Sequence, residues 1–149
     1  LPWTRAVVSE AMRLYPPAWT IERNALADDE VAGTPVPAGS LVAIPPYLIH
    51  RHPEFWPDPA GFDPGRFLAN GAAAPGGGHP RHRYAYIPFG GGRRACVGAS
   101  FAELETVLVV AAIARRYRLE LTMRGIPAPT ANVTLRPGRG LPMRLLRRS

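Results

Sequence analysis

The sequence predicts an α+β fold that is mainly helical, and three observations carry this. Apolar residues recur at helical spacing over 2–15 and again over 96–117. Short apolar runs punctuated by Gly and Pro lie at 18–45 and after Tyr117. Between the two helical patterns, residues 53–82 show no period at all. At 149 residues the chain has the size of one domain, and its 46% hydrophobic content supports a packed core rather than disorder.

Each element has a local reason. Pro2 suits the first turn of a helix over 2–15, and Ala6, Val7, Ala11, Met12, Leu14 and Tyr15 give it apolar cover. Pro16-Pro17 stops it. Short strands are expected over 18–45, with turns at Gly33 and Pro37-Ala38-Gly39, followed by a short helix over 46–52. Residues 53–68 read as an ordered meander in which Phe55, Trp56, Phe62, Phe67 and Leu68 need burial. The Ala/Gly/Pro stretch 69–80 reads as a mobile surface loop. The long helix presents Val97, Phe101, Leu104, Leu108 and Ala111 as its apolar stripe. Arg115, Arg116 and Arg118 gather at its C-terminal end, where the helix dipole favours cations. Strand candidates follow at 119–123, 132–136 and 141–146.

Composition excludes several classes. No apolar run reaches the roughly 18 residues of a membrane span. No signal peptide opens the chain. One cysteine rules out a disulfide framework and any zinc site with two thiolates. All 18 basic residues are Arg, against 11 acidic residues, for a net charge of +7. Arginine forks suit carboxylates and phosphates, so acidic partners come into view.

Cys96 stands at the start of the long helix, two residues after Arg94 and among Gly90, Gly91, Gly92 and Gly98. Helix N-termini and nearby arginines favour thiolate over thiol, and thiolate is the ligating and nucleophilic form. The glycines imply close approach of a large flat group or a need for positive φ. A buried structural cysteine beside a tight loop is the plain alternative.

The spacing Phe89-x-x-Gly92-x-Arg94-x-Cys96-x-Gly98 resembles the haem-binding loop of the cytochrome P-450 superfamily, the haem-thiolate monooxygenases. The match runs on through Ala102 and Glu105. The resemblance implies that Cys96 is the proximal thiolate ligand of the iron of haem b. Pro88, Phe89, Gly90, Val97, Gly98 and Ala102 would border the macrocycle, and Arg94 would pair with a propionate. A thiolate ligand pushes electron density onto iron, and N–H groups near the sulfur temper that push.

Glu10-Ala11-Met12-Arg13 places opposite charges at i and i+3, by itself an ordinary solvated pair. Beside Pro64-Gly65-Arg66-Phe67 it resembles the family's buried three-residue network, here Glu10, Arg13 and Arg66. Gly65 departs from the family's usual Glu at a position outside that network. Trp56-Pro57-Asp58-Pro59 and Phe62-Asp63-Pro64 are similar to the segment preceding that Arg. Arg23 corresponds to a propionate partner, or is a plain edge-strand arginine. Ala18, Trp19, Thr20 and Ile21, and Val133 in the tail, resemble substrate-lining stretches. An apolar core role stands equally open for Ile21 and Val133.

The fold so implied is the C-terminal part of the cytochrome P-450 fold: K helix, small β-sheets, meander over 53–82, Cys-ligand loop over 88–98, L helix and terminal β-hairpins. Residues 1–149 would then be one portion of a larger domain, of bacterial type and cytoplasmic, without turnover alone. The implied reaction inserts one atom of O2 into a small organic substrate, with electrons from NAD(P)H through a ferredoxin or flavin reductase. No nucleic acid and no membrane segment are expected. Two rival readings exist. A dinucleotide-binding unit would use a strand at 84–89, a phosphate turn Gly90-x-Gly92-x-x-Ala95 and Glu120 on a ribose, but Pro88 suits a central strand badly. A nucleic-acid-binding module is permitted by the charge, but the arginines are scattered along the sequence without a recognised reading motif.

Overall fold

The computed structural model describes residues 1–68 and 82–148. The loop expected to be mobile, 69–80, lies outside the described residues. Helix α1 (Pro2–Leu14) starts on its proline, whose missing N–H is one that no helical carbonyl could have accepted. It ends at Tyr15, whose N–H still reaches the Ala11 carbonyl at 2.8 Å. The face it turns inward carries Ala6, Val8 and Leu14, but also Ser9, Glu10 and Arg13.

The strands form four two-stranded antiparallel ladders among the described residues. β1 (Ile21–Asn24) pairs with β4 (Leu41–Ile44), enclosing the hairpin of β2 (Asp29–Val31) and β3 (Thr34–Val36). The expected turns are there, with Gly33 at φ +79° and Gly39 at φ +81°. β5 (Tyr117–Leu121) pairs with β8 (Met143–Arg147), enclosing β6 (Pro129–Ala131) and β7 (Leu135–Pro137). The strand expected over 132–136 is therefore split. Residues 132–134 form the tip between β6 and β7, a place that suits Asn132.

α2 (Pro46–Ile49) is a single turn, shorter than expected. A 3-10 turn, Pro64–Phe67, is capped by the Asp63 side chain, which accepts from the Gly65 N–H at 2.9 Å. Trp56 has no exposed surface; Phe67 and Tyr86 stack around it at centroid distances of 5.9 and 6.1 Å. Phe62 departs from expectation and is 54% exposed.

α3 (Ala99–Arg116) begins after a 3-10 turn at Gly92–Arg94. Its expected apolar stripe does not face the core of the described residues. Phe101, Leu104 and Leu108 are more than half exposed and Val97 is fully so, whereas Val107 is buried. The helix is apolar on more than one face, so spacing alone cannot choose the packed one. No strand forms at 84–89, which runs as turns and loop; the dinucleotide reading, which needs that strand, is overturned.

Candidate functional site

The site is built outward from a buried ion pair. The Glu10 carboxylate and Arg13 guanidinium meet twice at 2.7 Å, and neither residue has exposed surface. Nε of Arg13 donates to Oε2 and an outer nitrogen to Oε1. The remaining guanidinium N–H groups donate to the carbonyls of His50, Pro59 and Gly61 at 2.8–2.9 Å. All five donors of the fork are used, which is what makes a buried charge tolerable. Glu10 also accepts from the Asp63 N–H at 2.9 Å and lies 3.4 Å from Nε of Arg66. Arg66 donates to the carbonyls of Pro57 and Asp58. The three charged residues thus sit together, and through backbone carbonyls they hold an irregular segment that has no ladder of its own. Gly65, where the family carries Glu, leaves these contacts in place.

A second set of bonds runs from this centre to 85–87. Trp56, 5.0 Å beneath the Arg13 guanidinium, donates its indole N–H to the Ala85 carbonyl at 3.2 Å. The Tyr86 hydroxyl donates to the Ser9 carbonyl at 3.0 Å, and burial pushes its pKa up. The Ile87 N–H donates to Nε2 of His50 at 2.8 Å. Three consecutive residues are each anchored by a different part of the core.

The loop that follows carries the thiol. Gly90 and Gly92 adopt φ of +78° and +67°, conformations that glycine enters freely. The Cys96 N–H donates to the Phe89 carbonyl at 2.9 Å and closes the loop. Cys96 is exposed, so the buried structural cysteine is not what is found. It lines an open cleft of about 300 Å³ with Arg94, Pro88, Phe89, Gly90, Ile21 and Arg23. Ile21 and Arg23 share one face of β1 because strand side chains alternate. A Cβ on Gly90 would meet the Ile21 side chain at 3.6 Å, an ordinary contact, so the positive φ rather than space is what calls for glycine there.

Of the other expected site residues, Ala18 lines the same cleft. Trp19 and Thr20 are half-buried and lie outside its lining. Val97, Gly98 and Ala102 lie outside its lining, although a Cβ on Gly98 would come within 3.9 Å of the Cys96 sulfur. Val133 is 97% exposed at the tip of the β6–β7 hairpin, which excludes a core role among the described residues. That hairpin is nevertheless tied to the 17–19 segment. The Trp19 indole donates to the Asn132 carbonyl at 2.7 Å, and the Leu135 N–H donates to the Pro17 carbonyl at 2.9 Å.

The cytochrome P-450 family model matches residues 1–141. The chain belongs to the cytochrome P-450 family. Among curated relatives, a Mycobacterium bovis protein classed as cytochrome P-450 132 is 41% identical over 141 residues, covering 95% of this chain and 29% of that protein. Cyclooctat-9-en-7-ol 5-monooxygenase of Streptomyces melanosporofaciens is 41% identical over 130 residues, 87% of this chain and 26% of its own length. The structure of retinoic-acid-bound cyanobacterial CYP120A1 superposes with a TM-score of 0.88 at 31% identity, over 98% of this chain and 32% of that one. The chain therefore spans under a third of the length of these P-450 relatives. Among its described residues no helix is long and apolar enough to cross a membrane.

The P-450 family implies haem, and the cleft suits it. Ile21, Pro88, Phe89 and Ala18 offer apolar contact to a flat macrocycle, and the exposed Cys96 sulfur is a soft donor for iron. Two guanidiniums, Arg23 and Arg94, line the same cleft, a pair whose chemistry suits a ligand with two carboxylates. Sequence reasoning missed two lining residues, Met12 and Pro17. By sequence Met12 is helix cover, and no local signal aims it at a cleft. It also missed His50, which carries no motif of its own, and Arg51. Arg51 donates to the Leu14 carbonyl at the end of α1 and lies 3.8 Å over the Tyr47 ring.

Proposed function

We propose that this chain forms the haem-ligating part of a haem-thiolate monooxygenase, with Cys96 as the proximal thiolate to the iron of haem b. One observation carries the reading: the only cysteine is exposed in a cleft that also holds Arg23, Arg94 and an apolar wall.

Haem bound there supplies an iron centre at which O2 is activated and one oxygen atom passes to an organic substrate, the other leaving as water. The chain's own residues do the holding. Cys96 supplies the anionic sulfur. Its N–H bond to the Phe89 carbonyl closes the loop that brings Cys96 to the cleft. Arg23 and Arg94 orient the macrocycle by charge-assisted bonds to its propionates. Arg23 is held for this by donating one N–H to the Glu22 carbonyl at 2.7 Å. Phe89 and Ile21 exclude water from one side, which strengthens every electrostatic contact in the cleft.

The substrate is a small organic molecule, a class in keeping with the name of the Streptomyces relative that acts on cyclooctat-9-en-7-ol. Ala18, Trp19, Thr20, Ile21 and Val133 are the positions on this chain that would border it. The two electrons come from NAD(P)H through a ferredoxin or flavin reductase. Cys96→Ser in the protein as made from its native gene tests the assignment. The reduced, carbon-monoxide-bound absorbance of a haem-thiolate protein should vanish in the variant, and an unchanged spectrum overturns the reading.

A further inference from the structure

α1 and the Cys96 loop are joined through one imidazole. His50 has no exposed surface. Its Nε2 lies 2.8 Å from the Ile87 nitrogen and its Nδ1 3.2 Å from the Arg13 carbonyl oxygen. An amide N–H only donates and a carbonyl only accepts. Nε2 must therefore carry the lone pair and Nδ1 the proton. The bonds then run on toward the thiol: the Ile87 carbonyl accepts from the Gly90 N–H at 3.0 Å, and the Phe89 carbonyl accepts from the Cys96 N–H at 2.9 Å.

We propose that His50, as the neutral Nδ1–H tautomer, is a positioning residue that sets where the Cys96 loop stands relative to α1 and so tunes the sulfur as a ligand. Residues behind a metal ligand fix its orientation and electron-donating strength. His50 does this at one remove, through the backbone that carries Cys96. A protonated ring would set a second N–H against the Ile87 N–H and break the link. The surroundings oppose that proton. Burial is the main cause, and the Arg13 guanidinium from α1 and Arg51 beside it add to it, holding the His50 pKa down at about 4. The Tyr86 ring also lies against it, its centroid 5.2 Å away, with its hydroxyl spent on the Ser9 carbonyl. A histidine kept only to fill space would need neither bond.

The effect on the ligand rests on Cys96 being the haem thiolate, but the bonding of His50 does not, and the measurements separate the two. In the unsubstituted protein, nitrogen NMR of His50 should show a protonated Nδ1 and a coupling from Nε2 to the Ile87 amide; a proton on Nε2 overturns the proposal. In haem-free protein, amide exchange at Ile87 and Cys96 should quicken roughly tenfold in His50→Phe, which keeps the ring but neither bond. His50→Gln restores an acceptor and should return exchange toward the original rate. Equal rates in the two variants, or no change in either, overturn it. With haem bound, the midpoint potential should shift in His50→Phe and recover in His50→Gln; a potential unmoved by His50→Phe overturns the tuning. Should His50→Phe not fold, the nitrogen spectrum and the His50→Gln exchange rates still decide. Failure of the protein to bind haem at all strikes down the reading of Cys96, and leaves the tautomer and exchange results to judge His50.

Discussion

Glu10 and Arg13, one helical turn apart, form a bidentate pair with no exposed surface on either residue. A pair at this spacing on most helices is solvated and contributes a few tenths of a kcal/mol. Here its geometry is enforced by three backbone carbonyls from 50–61 and by Arg66. Removing Glu10 leaves the Arg13 guanidinium buried without its carboxylate, and removing Arg13 leaves Glu10 with Arg66 alone at 3.4 Å. Glu10→Ala or Arg13→Ala should therefore cost about 3–5 kcal/mol, enough to lose most folded protein. Arg13→Lys should lose nearly as much, because an ammonium cannot span the fork. Denaturant midpoints and soluble yield read this; an Arg13→Lys protein of ordinary stability contradicts it.

Trp19 and Asn132 clasp two segments that are far apart in the chain. Trp19→Phe keeps the ring and deletes the donor to the Asn132 carbonyl. It should cost about 1 kcal/mol and loosen the β6–β7 hairpin rather than the core. Hydrogen exchange should quicken at Leu135 and its neighbours while the Ile87 amide stays protected. Uniform loss of protection across both regions argues against a local clasp.

The lowered pKa of His50 has a pH consequence with a definite sign. The folded protein favours the neutral ring, so its contribution is fully present above the ordinary value of 6.5. It declines as pH falls from there through about 4. Over that window the loss is about 3 kcal/mol, from the ~1.4 kcal/mol that each pKa unit carries. Denaturation midpoints measured from pH 7.5 downward should fall more steeply in the original protein than in His50→Gln, which has nothing to titrate there. Parallel curves refute the assignment.

Arg23 and Arg94 should act on haem retention rather than on folding, since neither is buried. Arg23→Ala and Arg94→Ala should each speed haem release about tenfold, the loss expected for one charge-assisted bond. The lysine variants should recover part of it. Transfer of haem to an acceptor protein measures the rate, and release unaffected by both substitutions would remove the propionate contacts from the proposal.

The amino-acid sequence by itself determined where the candidate site residues stand and in what order. Proline placement and helical period account for the two helices and the glycine turns, whereas the thiol loop and the grouping of Glu10, Arg13 and Arg66 were legible only through resemblance to a known family. The tertiary structure alone decided three further things. It brought Met12 of α1 to the cleft of Cys96, beside Ile21 and Arg23, which share one face of β1. It gave His50 its task, because both its partners are backbone groups 37 positions away, which no side-chain pattern encodes. It also chose the face of α3 that packs. Phe101, Leu104 and Leu108 follow the helical period as well as Val107 does, yet only Val107 is buried. Period reports that a face is apolar; what lies against it is settled by the rest of the fold.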